Sequence, residues 1–305
     1  MSSRTELHSV LASYLARHPD ETARLARVTA ALDAHGTSDL APVTCSAVVV
    51  DRDRRILRTA HASTASGLPG AAPQEGDRSL LATALRAVHD QTGIRPGDLC
   101  LTPQYLRTPI DIAPGPTAAA PTSGAPVADL RFAFCLARTP STKAPWQPAV
   151  GTALAELGAK ASGLDGHPTP LNASALIYNS RGEYLLHLRD MREGIWAPGC
   201  WALLGGGHEV ADLTPEDTIR RELKEEAGIT PHTLEAFLDE EVHDADGLTV
   251  PVRIYAALWE GDPAQLPLTE GVMLAWFPPA TIPRLRLGGE TLDLVQRHSR
   301  VVALT

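Results

Sequence analysis

Lysine is scarce in this sequence: Lys143, Lys160 and Lys224 are the only three, and 36 acidic residues face 27 Lys and Arg, a net charge of −9. A surface that neutralises nucleic-acid phosphates needs clustered cations, so no nucleic-acid partner is expected. Cysteine is equally sparse. Cys45, Cys100, Cys135 and Cys200 stand apart with no C-x-x-C pair, which argues against a zinc site or a disulfide framework and for buried thiols in a reducing, cytoplasmic setting. No run approaches the roughly 18 apolar residues of a membrane span. The N-terminal stretch, about 1–38, has a helical apolar period but carries charges throughout, unlike a signal peptide. What is present is an ordinary globular composition, 44% hydrophobic and 21% charged over 305 residues, enough for roughly two domains of about 150 residues.

The sequence repeats itself. "LRAVHDQTGI" (85–94) and "RRELKEEAGI" (220–229) share Arg86/Arg221, Gly93/Gly228 and Ile94/Ile229, positions that stand 135 apart. The same offset pairs Asp77 with Asp212, Gln74 with Glu209 and Ala71 with Gly206. Upstream, "SAVVVDRDRRIL" (46–57) parallels "SALIYNSRGEYL" (174–185), each an apolar run, a polar turn and a second run, which signals a hairpin. Downstream, "RFAFCLA" (131–137) parallels "RIYAALW" (253–259). Two copies of one α/β unit follow. The Pro- and Gly-punctuated stretch 146–170 reads as the linker between them, with an Ala-rich helical piece inside it. "APGPTAAAPTSGAP" (113–126) reads as a long loop within the first copy.

The copies differ in charge. In the second, Glu222, Glu225 and Glu226 fall at i, i+3 and i+4, so a helix projects them from one face. Adjacent carboxylates repel unless a cation sits among them, and a hard divalent ion such as Mg2+ or Mn2+ suits oxygen ligands. Taken alone the triad also fits a solvated acidic face. Its setting favours the ion: Gly205-Gly206, Glu209 and Asp212, then the helix, then the glycine stop, form one connected pattern. In the first copy Gln74, Ala87 and Gln91 stand where Glu209, Glu222 and Glu226 stand in the second, and Asp90 answers Glu225.

From Gly206 to Ile229 the sequence resembles the signature of the Nudix hydrolases, G-x5-E-x7-R-E-U-x-E-E-x-G-U with U apolar, and the likeness extends over roughly 171–280. The helical half is complete. The loop half departs, with Asp212 where Glu is usual and one residue more before Arg221. The resemblance implies two tandem α/β/α sandwiches with mixed β-sheets, preceded by N-terminal helices: a degenerate unit at 1–145 and a catalytic one at 171–305. It implies metal-dependent cleavage of the pyrophosphate in a nucleoside diphosphate linked to another moiety, by attack of activated water. Carried over by position, Glu222 and Glu226 are the main metal ligands, with Glu225 and Glu209 as further ligands or the general base. Arg221 holds the glutamates, Gly206 brings a backbone carbonyl to the metal, and Gly228 ends the helix.

Lesser candidates lie outside the box. Arg192 and Trp196, in "DMREGIWAPG", suit phosphates and bases. Glu270 lies in a loop before a strand, where some members of the family keep a further acid. Trp201 reads as core and His208 as structural. Two alternatives stand beside hydrolysis: a nucleotide- or sugar-nucleotide-binding regulator without turnover, and an isopentenyl diphosphate isomerase, for which no convincing nucleophile appears around Cys200. The copies could pack as a pseudo-dimer, or the chain as a homodimer. Which diphosphate is cleaved does not follow from the residues.

Overall fold

The structure, a computed structural model, describes residues 4–34, 43–59, 67–115, 127–139, 145–149, 155–192, 195–209 and 211–303. The loop expected at 113–126 falls for its greater part, 116–126, outside the described residues. The chain divides into two units, Met1–Pro168 with Asp246–Thr249, and Thr169–Ala245 with Val250–Thr305.

The first unit begins with helices α1 (Arg4–Arg17) and α2 (Thr22–Ala34), separated where Pro19 cannot continue a helix. Its strands are β1 (Val43–Val50), β2 (Arg55–Leu57), β3 (Gly70–Ala71), β4 (Leu99–Leu101), β5 (Asp111–Pro114), β6 (Ala128–Leu136) and β7 (Trp146–Pro148). Helix α3 (Leu80–Thr92) follows β3, and α4 (Ala155–Ser162) follows β7. β1 runs antiparallel to β2 and β3 and parallel to β6, with β7 antiparallel to β2. β1 is rich in β-branched residues and buried on both faces, as a strand covered on each side must be. Cys45, Ala47 and Val49 join a cluster with Leu81 and Leu85 of α3, whereas Val48 and Val50 join one with Leu157 and Ala161 of α4. Alternation along one strand thus produces a helix–sheet–helix sandwich.

The second unit contains β8 (Asn172–Tyr178), β9 (Tyr184–Leu188), β10 (Trp201–Ala202), β11 (Leu204–Gly206), α5 (Pro215–Ala227), β12 (Glu235–His243), β13 (Thr249–Leu258), β14 (Met273–Phe277) and α6 (Thr291–Val302). β8 is antiparallel to β9 and β11 and parallel to β13, and β14 is antiparallel to β9. The central pairings repeat those of the first unit, β8 with β9, β11 and β13 as β1 with β2, β3 and β6, and β14 on β9 as β7 on β2, while β10 on β9 and β5 on β6 have no counterpart in the other sheet. Ala175, Ile177 and Leu185 pack with Ile219 and Leu223 of α5, and Leu176, Tyr184 and Leu186 with Leu294 and Val295 of α6.

Residues 146–170, read from sequence as a linker, carry β7 and α4. They are held by pairing with β2 and by burial of Leu157 and Ala161, i and i+4 on α4, and of Leu164 just past its end. All four cysteines are buried free thiols. No described helix is long and apolar enough to cross a membrane.

Candidate functional site

Helix α5 is fixed at both ends by its own sequence. Thr214 accepts from the Asp217 amide while Asp217 accepts from the Thr214 amide, a reciprocal cap with Pro215 in the first turn. Gly228, left-handed at φ 65°, stops the helix. Between these ends Ile219, Leu223 and Ala227 form the buried face. At about 100° per residue, Glu226 projects only about 20° from Ile219, Glu222 about 60° and Glu225 about 120° on the same side. Burial follows this order: Glu226 is 4% exposed, Glu222 is half-buried, and the Glu225 side chain is 59% exposed. One helix therefore grades three carboxylates from core to solvent.

Above them lies β11. The Gly205 amide donates to Glu226 Oε2 at 3.1 Å. Gly205 has φ +137°, and a Cβ there would sit 2.6 Å from Ser174 Cα. A Cβ on Gly206 would stand 2.6 Å from Glu222 Cδ, so a side chain here would push the carboxylate out of its present place. Burial raises the Glu226 pKa to about 7 and raises that of Glu222 above the usual carboxylate range, Arg221 opposing the latter shift. The charge of Glu270, in an exposed loop, raises both.

Arg221 ties the loop to the helix. Its Nε and Nη2 donate to Asp212, at 3.2 and 2.9 Å, and Nη2 also reaches the Gly207 carbonyl at 2.7 Å. Nη1 donates to Glu222 and Glu225, each at 3.0 Å, with Glu209 at 3.9 Å. Asp212, whose place the longer loop left open, is the buried anchor of this arginine, and the Arg221 hydrogen bonds hold its pKa at about 2. Among the described residues, no three His, Cys, Asp or Glu side chains stand close enough to hold an ion as they are. Glu225 is turned outward and Arg221 reaches in between.

A cavity of about 660 Å³ within the second unit shares Gly205, Gly206 and Gly207 with this site, though the glutamates themselves do not line it. Leu203, Val242, Val252 and Ile254 supply apolar wall, and Asn172, Ser174, Glu240 and His243 supply polar groups. Trp196 borders it, 49% exposed, with its ring against Gly288 and Gly289. Arg189 lies 5.8 Å from the centre of that ring and donates Nε–H to the Trp196 carbonyl. Arg192 is exposed and outside the lining. Trp201 packs edge-to-face on Phe277 at 4.7 Å. The His208 amide donates to Asn172 Oδ1. Arg189, Asn172 and Ser174 were passed over in the sequence.

A family model described as NUDIX domain matches residues 168–298. No curated protein matches the chain. Similar solved structures include the NUDIX domain of Shewanella oneidensis NrtR complexed with ADP ribose, 23% identical, covering 45% of this chain and 89% of that one with a TM-score of 0.38. The MutT protein from Methanosarcina mazei Go1 is 24% identical, covering 44% and 94% with a TM-score of 0.38. A Caenorhabditis elegans Ap4A hydrolase binary complex (C. elegans) is 20% identical, covering 44% and 99% with a TM-score of 0.35. The glycine–carboxylate contact, the capped glutamate helix and the family match together identify residues 168–298 as a NUDIX domain.

Proposed function

We propose that the second unit, residues 171–305, is a Nudix hydrolase that cleaves the pyrophosphate bond of a nucleoside diphosphate linked to another moiety, with Mg2+ or Mn2+. The observation that carries this reading is the buried Glu226 carboxylate beside Glu222, set against Gly205 and Gly206, which also line the cavity. A buried anion with one amide donor is a poor state for the apoprotein, and hard oxygen donors suit a hard cation. Glu222, Glu226 and the Gly206 carbonyl would hold the ion, and the exposed Glu225 and Glu209 would join them by turning inward from their ion pairs with Arg221. When bound, it would neutralise the diphosphate and acidify a water.

The protein's own part is placement. Arg221 keeps Glu222 and Glu225 oriented while Asp212 keeps Arg221, so one buried pair sets the geometry of two acids. Trp196 and Arg189 offer a flat, cationic edge for a base or sugar. The apolar wall of the cavity keeps bulk water from the diphosphate. Water then attacks one phosphorus, the bridging P–O bond breaks, and two phosphate monoesters leave.

We also propose that the first unit, 1–145 extended by β7 and α4, is a degenerate copy without catalysis. Its frame supports this. Arg86 donates to Asp77 and to the Ala72 carbonyl as Arg221 does to Asp212 and Gly207. Ser79 caps α3 and Gly93 ends it.

A second reading has its own support: with Arg221 paired to Glu222 and Glu225, the unit could bind its nucleotide without turning it over. A Mg2+-dependent phosphate-release screen over ADP-ribose, nucleotide sugars, dinucleotides and nucleoside triphosphates separates the two. Turnover abolished in Glu222→Gln supports hydrolysis. Tight binding without turnover supports the regulator.

A further inference from the structure

Each unit carries a polar pair at the same two places of its central strand. Thr44 and Ser46 on β1 correspond to Asn172 and Ser174 on β8, because Ser46 pairs with Gly70 and Arg131 as Ser174 pairs with Gly205 and Ile254. In the first unit both hydroxyls are occupied. Thr44 and Ser46 donate to Asp129 Oδ1 at 3.0 and 2.7 Å, and Arg131 donates to the other oxygen of Asp129 at 3.0 Å. In the second unit the ladder sets Val252 opposite Asn172 and Ile254 opposite Ser174, so alkyl groups stand where the acid and its arginine stand in the first. Among the described residues the Ser174 hydroxyl has no hydrogen-bond partner.

Asn172 is held by one end. Its Oδ1 accepts from the His208 amide at 3.1 Å, which leaves the two hydrogens of Nδ2 as its remaining donors. Asn172 and Ser174 both line the cavity, together with Gly205, Gly206 and Gly207. Two donors without an internal acceptor, kept on a wall otherwise built from Leu203, Val252 and Ile254, suit an acceptor that arrives with a ligand.

Charge along the cavity indicates which acceptor. Its lining includes three acids, Glu240, Asp244 and Glu290, and one arginine, Arg189, whose Nε–H is already given to the Trp196 carbonyl. The acids repel an anion. Uncharged donors beside a glycine strand do not, and a phosphoryl group presents an acceptor oxygen to each of them. The same strand, through the Gly205 amide, holds Glu226, so the donors and the carboxylates share one backbone support.

We propose that Asn172 and Ser174 bind the phosphoryl group of the nucleotide half that the cavity holds, Asn172 through Nδ2 and Ser174 through its hydroxyl, with the uncharged body of that half on the apolar wall. This rests on the nucleotide-binding reading of the second unit and holds with or without turnover. In the first unit Asp129 fills the corresponding place with a fixed carboxylate.

The test uses the full chain with Mg2+, and AMP and adenosine as two probes that differ by the phosphoryl group. Calorimetry is run on wild type, Ser174→Ala, Ser174→Thr and Asn172→Asp, under conditions where circular dichroism shows each chain folded. Wild type is expected to bind AMP more tightly than adenosine. Ser174→Ala and Asn172→Asp each weaken AMP by at least about fivefold and leave adenosine within about twofold, the loss of a hydrogen bond to a charged group. Asn172→Asp keeps the shape and an oxygen for the His208 amide while exchanging the donor for an acceptor, so a loss there is not a loss of loop structure. Ser174→Thr, which keeps the hydroxyl, retains most of the AMP affinity. Unchanged AMP affinity in Ser174→Ala and Asn172→Asp, equal losses for AMP and adenosine, or no AMP binding by wild type overturns the proposal. The hydrolase reading fails on different data: a wild type that shows this AMP pattern yet releases phosphate from no diphosphate in the screen is a binder, and the subsite stands.

Discussion

Arg221 grips Asp212 through two edges of its guanidinium, Nε at 3.2 Å and Nη2 at 2.9 Å, and so joins the loop that carries Gly206 to the helix that carries the glutamates. Arg86 makes the same two-pronged bond to Asp77 at 2.9 and 2.8 Å. The bond persists where the carboxylates do not, which marks it as structural in both units.

Asp212→Ala and Asp77→Ala should therefore each destabilise the protein by about 2–4 kcal/mol, since either change strands a largely buried guanidinium. Calorimetric unfolding of the two variants checks this. A loss below about 0.5 kcal/mol in both would show that the loops hold without the bond.

Metal should stabilise the second unit through Glu226. Millimolar Mg2+ or Mn2+ should raise the melting temperature of wild type by a few degrees, and Glu226→Gln should keep less than a third of that gain. Without metal, the glutamine variant should be at least as stable as wild type at pH 8, because a neutral amide is cheaper to bury than a carboxylate and can still accept from Gly205. Equal metal shifts in the two proteins would place the ion elsewhere.

Trp196 should act on binding. Removing a ring that stacks on a base or sugar costs about 1–3 kcal/mol, so Trp196→Ala should raise KM roughly tenfold and change kcat less than threefold. Quenching of Trp fluorescence on substrate addition should shrink in parallel. A pure kcat loss would mean that the ring serves the reacting phosphorus and not the bound moiety.

His298 should give acid sensitivity. It is buried, 2.8 Å from the Tyr184 hydroxyl and packed against Tyr178 and Phe237, and burial lowers its pKa below the ordinary 6.5 while the charge of Glu235 opposes. The unfolded chain then takes the proton first, so the stability from this group is whole above about pH 6.5 and falls as pH drops towards the folded value. His187, also shifted down by burial, adds to the same slope. Melting temperature measured from pH 7.5 to 5 should fall less steeply in His298→Gln than in wild type.

The second unit's helix was legible in the sequence because its information is local. Cap, apolar face, glutamate spacing and glycine stop all lie within fifteen consecutive positions, Thr214 to Gly228. The sandwich was legible because the hairpins and the offset of 135 repeat. The cavity was not, since Asn172, Arg189, Val252 and Thr291 meet only after β8, β9, β13 and α6 have folded together. α4 was read as a helical piece within a linker; its packing on the first sheet was not legible, because Leu157, Ala161 and Leu164 acquire meaning only from the strands they pack against. Asp212 could not be assigned because its partner lies nine residues on, across a turn of unknown course.

Gln91 donates through Nε2 to the Gly70 carbonyl at 2.8 Å, whereas at the matching place Glu226 accepts from the Gly205 amide. The polarity of that contact is inverted between the units. A lone Gln91→Glu exchange would press a carboxylate against a carbonyl oxygen, two acceptors with no hydrogen between them. A carboxylate at this position would need the facing peptide turned so that an amide meets it, as the Gly205 amide meets Glu226. One side-chain exchange therefore does not convert one contact into the other: residue and peptide have to change together.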